Sequence, residues 1–214
     1  MTAPRKILVI AEAEIASTHL LMQIMRATRP HGIETGFTLA RDWAAKTLPG
    51  GVTPLFARCA DPGMLAYAEA LVEGKRPFLY YIDDDFWSLD PSTPLGAYYA
   101  HPSVRATLDY FVTHAAMVLT NTHALAGALR RRGAQVAVVP TFFDFDLIES
   151  VVPEPTEEIR IGYAGSLGHG PDLALVAPAI GPALALDQRV VFEFIGATPP
   201  GLAAGDRIRF FPSM

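Results

Sequence analysis

Residues 77–87 read PFLYYIDDDFW, an apolar run that leads into three consecutive aspartates. The run over residues 77–82 has the length and the apolar content of a buried strand. Open parallel sheets place their ligand-binding groups just beyond the carboxyl ends of the strands. We therefore expect this segment to be a strand whose end presents Asp83, Asp84 and Asp85 at a functional edge.

The rest of the chain alternates short apolar runs with helix-length segments, which is the pattern of strand–helix units in a parallel sheet. The predicted strands cover residues 6–11, 33–39, 53–59, 77–82, 116–120, 136–139, 160–164, 190–195 and 207–211. The predicted helices cover residues 14–26, 62–73, 102–114, 123–132 and 172–185. The sequence thus predicts an α/β fold, with a Rossmann-like parallel sheet followed by an incomplete second Rossmann-like unit.

A linker is predicted over residues 151–158, VVPEPTEE, which combine two prolines with three acids and lack helical periodicity. It separates a first domain over residues 1–150 from a second unit over residues 159–214. Three strands and one long helix are too few for an independent doubly wound domain. We expect the second unit to be incomplete or to pack against a partner chain.

Composition limits the classes of function. The 214 residues include 17 Lys and Arg against 22 Asp and Glu, and the net charge of -5 excludes a strongly basic nucleic-acid binder. Cys59 is the only cysteine, which excludes an intrachain disulfide and predicts a reducing cytoplasm. The longest uncharged stretch, residues 110–129, is too polar for a membrane span, so only peripheral contact at the inner face of a membrane stays open.

The three aspartates allow three interpretations. Adjacent carboxylates repel one another unless solvent, hydrogen-bond donors or a cation lie nearby. Asp83 and Asp85 form an Asp-x-Asp pair that could hold Mg²⁺ or Mn²⁺ with a diphosphate. Alternatively, one aspartate caps the following turn while the others face water, or the carboxylates bind substrate hydroxyls and organise the loop.

A second candidate site is the glycine-rich turn over residues 165–172, GSLGHGPD, which follows a predicted strand and opens a predicted helix. The free N–H groups at a helix start suit a phosphate, and glycines let the backbone approach it. The alternative is a plain strand-to-helix turn. The segment is neither a Walker loop nor a dinucleotide motif, and His169 among glycines is expected to face solvent or ligand.

Together these segments resemble bacterial GT-B glycosyltransferases of the retaining, nucleotide-sugar-dependent type. The most specific matches are residues 80–87, YYIDDDFW, and residues 161–166, IGYAGS, with His169 and Asp172. Arg58, residues 119–122 (LTNT) and residues 138–140 (VVP) support the match. The resemblance runs from Lys6 to Pro212.

The resemblance implies transfer of a sugar from a nucleotide diphosphate sugar to a polysaccharide or glycolipid acceptor. It assigns no catalytic residue and implies no essential metal or other cofactor. The implied donor and phosphate site comprises Gly165, Ser166, Gly168, His169, Gly170 and Asp172. The implied acceptor-side or loop-organising residues are Arg58, Asp83, Asp84, Asp85, Trp87 and Asn121.

This sequence departs from the family in one respect: chains of the family continue past the position of Met214. We expect weak donor binding and little turnover unless another chain supplies the remainder. A different class of function therefore stays open, namely a non-catalytic Rossmann-like binding module that docks on a partner chain.

Overall fold

A computed structural model of the protein describes residues 5–43, 48–141, 155–165 and 170–212, with only the backbone of Pro171. The chain divides into two compact units, Met1–Asp144 and Phe145–Met214. Each unit carries a parallel sheet, and the predicted α/β class with a second, smaller Rossmann-like unit is confirmed. Half of the predicted linker, residues 151–154, lies outside the described residues.

The described strands of the first unit form a six-stranded parallel sheet with the order β2-β1-β3-β4-β5-β6. These strands are β1 (Arg5–Ala11), β2 (Ile33–Leu39), β3 (Val52–Ala57), β4 (Leu79–Tyr81), β5 (Met117–Thr120) and β6 (Val136–Val138). In the centre of the sheet, Ile10 lies opposite Phe56 and Phe56 lies opposite Tyr80. Because the strands are parallel, their carboxyl ends meet at a single edge.

Helices connect these strands. They are α1 (Ala16–Ala27), α2 (Ala40–Trp43), α3 (Leu65–Glu73), α4 (Pro94–Ala100), α5 (Pro102–His114) and α6 (His123–Arg131). Asp61 begins a short 3₁₀ helix, Pro62–Met64, that leads into α3, and its carboxylate accepts a hydrogen bond from the Gly63 amide at 2.7 Å. The Thr122 hydroxyl caps α6 and accepts a hydrogen bond from the Leu125 amide at 3.2 Å. Helices α2 and α4 are additions to the elements predicted from the sequence.

The core lies on both faces of the sheet. On one face, Phe111 of α5 packs with Phe56, Phe78 and Tyr80 of the sheet side in a cluster of aromatic rings. On the other face, the buried side chains of α1 pack against β1 and β3. The second core consists of Val9, Ala11, Leu21, Met25, Leu55, Ala57 and Tyr81. Burial of these side chains holds the carboxyl edge of the sheet in place.

The second unit contains β7 (Ile159–Gly165), β8 (Val190–Gly196) and β9 (Ile208–Phe211), which pair in parallel in that order. Helix α7 (Gly170–Leu186) packs on this sheet through Leu173 and Ile180, which form a small core with Phe194. Across all described residues, no helix is long and apolar enough to cross a membrane.

Candidate functional site

The candidate site lies at the carboxyl edge of the first sheet, where the strand order reverses. Strand β1 has β2 on one side and β3 on the other, so the chain leaves β1 in one direction and crosses back to form β3. Such a switch point opens a crevice between the loops that follow the two strands. Here those loops begin at Glu12, after β1, and at Arg58, after β3.

Arg58 is the centre of a cluster of charges. Its Nη1 contacts Oδ1 of Asp83, donates to Oδ2 of Asp84 at 2.9 Å and reaches the Ser17 hydroxyl at 3.3 Å. The side chains of Arg58 and Asp83 are 13% and 10% exposed, whereas that of Asp84 is 55% exposed. Burial lowers the pKa of the guanidinium, but the two carboxylates outweigh this effect, and its pKa is raised.

The backbone of Arg58 is unusual. Its φ of 58° lies in the left-handed region, which non-glycine residues rarely adopt and which ends β3 at Ala57 instead of the predicted Cys59. Its amide donates to the Tyr81 carbonyl at 2.9 Å, and its guanidinium lies 4.7 Å from the ring centre of Phe86. Such strain persists only where surrounding contacts hold it, and it concentrates at functional sites.

The three aspartates separate into two roles. Asp83 and Asp84 converge on Arg58, so a cation from the chain itself relieves their mutual repulsion. Asp85 turns away: its carboxylate accepts hydrogen bonds from the Trp87 amide at 3.2 Å and the Ser88 hydroxyl at 2.8 Å. Within the described ranges, no three His, Cys, Asp or Glu side chains come together as a metal-binding group.

Glu12, which is not among the residues predicted for the site, links the two sides of the switch point. Its Oε2 accepts hydrogen bonds from the amides of Ala60 at 2.5 Å and Asp61 at 3.1 Å. Its Oε1 accepts one from the hydroxyl of Tyr98, at 2.8 Å. The carboxylate thereby ties the loop after β1 to the loop after β3 and to α4. The available signal in the sequence is an acidic residue directly after the first strand.

A cavity of about 200 Å³ opens beside Glu12. It is lined by Glu12, Ala40, Arg41, Asp61, Gly63 and Met64. Two carboxylates and one guanidinium in a small cavity offer both acceptors and donors, a combination that suits a ligand rich in hydroxyl groups. Burial, followed by the hydrogen bond to Glu12, raises the pKa of Tyr98 well above its ordinary value and keeps the hydroxyl a donor.

Buried groups hold the start of the loop after β3. The Cys59 side chain is fully buried, its Sγ lies 3.4 Å from the Ile10 carbonyl oxygen, and burial raises the pKa of its thiol. The hydroxyl of Tyr80 donates to the Cys59 carbonyl at 3.0 Å. The loop after β3 is therefore held both by contacts with the core and by the hydrogen bonds to Glu12.

Trp87 and Asn121 lie near the same edge, outside the hydrogen bonds and ion pairs that form the Arg58 cluster. The Trp87 Nε1 donates to the Asp109 carboxylate at 2.7 Å, and the Arg132 guanidinium lies 4.2 Å from the centre of its ring. Asn121 directly follows β5. Its buried Oδ1 has no hydrogen-bond partner in the described part of the chain, nor does the hydroxyl of Thr120.

In the second unit, the predicted donor site is only partly described. Gly165 ends β7, and its carbonyl accepts a hydrogen bond from the Ala197 amide at 2.9 Å. Gly170 begins α7 and Asp172 lies in its first turn, so the described residues show a strand before this segment and a helix after it. Ser166, Gly168 and His169 lie outside the described residues.

No protein-family model and no curated protein sequence matches the chain. A solved structure of a protein described as a UDP-N-acetylglucosamine 2-epimerase from Listeria monocytogenes is similar, with a TM-score of 0.57. The two sequences are 10% identical over 99% of this chain and 70% of the other. At this identity the likeness shows the fold alone, and we conclude that the chain has a GT-B-like α/β fold.

Proposed function

We propose that this chain takes part in sugar transfer from a nucleotide diphosphate sugar to a polysaccharide or glycolipid acceptor. The observation that carries the proposal is the pair of polar arrangements at the switch point: Arg58 holds Asp83 and Asp84 after β3 and β4, and Glu12 after β1 lines a cavity of about 200 Å³. The GT-B-like fold supports it, because the neighbour in fold is named for a nucleotide-sugar substrate.

In this proposal the first unit binds the acceptor. A sugar presents hydroxyl groups that both donate and accept hydrogen bonds, and carboxylates are strong acceptors for them. Asp84 is half-exposed while held by Arg58, so it can receive a hydroxyl without a large rearrangement. Glu12, Asp61 and Arg41 supply further polar groups around the cavity.

The donor site is proposed at the glycine-rich turn over residues 165–170. Backbone N–H groups at the start of α7 would face the diphosphate, with Ser166, Gly168, His169 and Asp172 around it. In transfer, the acceptor oxygen bonds to the anomeric carbon while the bond to the diphosphate oxygen breaks and its electron pair leaves with the nucleotide. The proton of the acceptor hydroxyl passes to the departing diphosphate oxygen. The helix dipole favours that developing charge, so no metal ion or other cofactor is included in the proposal.

Calorimetric titration of the full chain with UDP, GDP, UDP-N-acetylglucosamine and GDP-sugars tests the donor site. We expect saturable binding of one base series that is lost in His169→Ala and retained in His101→Ala, an exposed histidine of the first unit. Absence of binding across the whole panel would contradict the proposal. Product analysis after incubation separates transfer to an added glycan from isomerisation of the donor.

The acceptor side needs a separate variant. In Asp84→Asn the half-exposed carboxylate is replaced by an amide of the same shape, so the fold is expected to persist while turnover falls at least about tenfold. Glu34→Gln, an exposed acid on β2 that pairs with Lys6, is the matched control. Equal activity in the two variants would remove Asp84 from the site.

A second candidate function is a non-catalytic binding module that docks on a partner chain. It is favoured by one observation: helix α7 exposes large apolar side chains, with Leu175 82% and Leu186 87% exposed. Nucleotide-sugar binding without turnover under any acceptor condition would favour this candidate over transfer.

A further inference from the structure

Helix α7 has an apolar surface on its solvent side as well as on its core side. From Leu173 to Leu186 the sequence LALVAPAIGPALAL has no polar side chain. Leu173 and Ile180 face the small core, yet Leu175, Val176 and Leu186 are 82%, 50% and 87% exposed. A helix that is apolar all round is normally covered on all sides.

The exposed side chains form one stripe along the helix. Leu175, Ala179, Pro182 and Leu186 follow one another at intervals of four, three and four residues, which places them on a single helical face. The stripe has a leucine at each end and small or compact residues in the middle. It is therefore symmetric about a point between Ile180 and Gly181.

We propose that a second copy of this chain covers the stripe, with the two α7 helices packed antiparallel about a twofold axis. In this arrangement Leu175 of one copy lies opposite Leu186 of the other, at both ends of the contact. Ala179 lies opposite Pro182 at the crossing, where small side chains allow close approach. An interface of this kind is isologous, which is the commonest form of self-association.

The charges at the ends of the helix fit the same register. Asp172 lies in the first turn of α7, and the same pairing brings it opposite Arg189 of the second copy. Arg207, just before β9, lies against the carboxyl end of α7, where its guanidinium donates to the carbonyls of Leu184 and Asp187. Arg189 and Arg207 outweigh the single charge of Asp187 among these three residues. In the proposed pairing, the acidic start of one α7 therefore meets a positively charged end of the other.

An apolar groove continues from the stripe toward β7. The groove has a volume of about 340 Å³, and Val176, Ala179 and Ala183 line it from the helix while Ile161 and Phe192 line it from the sheet. It widens the apolar surface beside the stripe that a second copy would cover. A membrane surface fits less well, because interfacial helices carry Lys or Arg along a polar face and α7 carries none.

Light scattering on the eluting full chain tests the proposal, which does not depend on the proposed function. We expect twice the 23.1 kDa mass of one chain. Leu175→Glu should weaken the dimer at least about tenfold by placing a charge opposite Leu186. Leu95→Glu, at a leucine that is 53% exposed in α4, should leave the dimer intact. A monomer at every concentration would overturn the proposal.

Cysteine pairs test the register. An equal mixture of Leu175→Cys and Leu186→Cys should form a disulfide-linked dimer under mild oxidation, because the register brings these positions together. Either variant alone should not, since equivalent residues would be about 16 Å apart along the axis, beyond disulfide reach. The parent chain is the control, because its only cysteine is buried. Equal cross-linking of single variants and mixture would overturn the antiparallel pairing.

Discussion

The carboxylate of Glu12 accepts a hydrogen bond from the hydroxyl of Tyr98, at 2.8 Å and across 86 positions of sequence. The same carboxylate holds the amides of Ala60 and Asp61. One side chain therefore joins the loops after β1 and β3 to helix α4. The stability of these three segments should therefore depend on the carboxylate of Glu12.

Glu12→Gln should destabilise the fold. The glutamine amide has one accepting oxygen and no charge, so the hydrogen bonds from the Ala60 and Asp61 amides weaken and the Tyr98 hydroxyl must accept where it donated, at a cost of about 1–3 kcal/mol. Urea unfolding measures the loss. Glu14→Gln changes an exposed acid two residues away and is expected to have a smaller effect. Equal stability of the two variants would contradict the role given to Glu12.

Breaking the Arg58 cluster should cost more. Arg58→Ala leaves the nearly buried Asp83 carboxylate without its cation, a change expected to cost about 3 kcal/mol. Adding Asp83→Asn should restore part of the loss, because the orphaned charge is then removed. Lys6→Ala, in an exposed ion pair with Glu34, should cause no measurable change in the unfolding midpoint. Additive losses for Arg58→Ala and Asp83→Asn would contradict the coupling.

Tyrosine ionisation should set the alkaline limit of the fold. Burial is the first cause of the raised pKa of four tyrosines near the carboxyl edge: Tyr80, Tyr81, Tyr98 and Tyr99. Each keeps its proton in the folded chain after the unfolded chain has lost it. Stability is therefore complete below about pH 10 and falls as the pH rises further.

Ultraviolet titration checks this prediction. The chain has seven tyrosines, and the three buried ones, Tyr80, Tyr81 and Tyr99, should ionise only as the fold is lost, giving a steep, late step in phenolate absorbance. Tyr98→Phe should reduce the steepness of the fall in stability above about pH 10. Seven tyrosines that titrate together near their ordinary pKa in the folded chain would contradict the buried environment.

Chelation should leave ligand binding unchanged. Arg58 already compensates Asp83 and Asp84, so these carboxylates have no need of a divalent cation. Calorimetric titration with UDP-N-acetylglucosamine in EDTA and in excess Mg²⁺ compares the two states. Binding that EDTA abolishes and Mg²⁺ restores would support the metal interpretation of the three aspartates.

Much of the fold is predictable because its signals are local. Two helix starts are marked by local side chains and dihedrals: one by Asp61 with Pro62, the other by Thr122 before an apolar run. Thr93 and Pro94 carry the same signal for α4, although the short helix that follows them was not predicted. The described part of helix α2 covers four residues, too few for any periodicity to appear.

The candidate site is predictable only in part, because its contacts are not local. The aspartates can be placed at the end of a strand, but their division between Arg58 and the turn at Ser88 depends on how β3 lies beside β4. Glu12 acts on amides 48 and 49 positions away. An arginine at the end of a strand carries no signal of a left-handed backbone, so the early end of β3 could not be foreseen.

The buried thiol of Cys59 can serve as a built-in probe of local opening in the native protein. As the only thiol in the chain, it reacts with a disulfide reagent only when the segment beside Glu12 separates from the core. The modification rate at fixed pH thus measures how often this segment opens in the native state. Comparing that rate with and without a bound sugar nucleotide would reveal ligand-induced ordering without any added label.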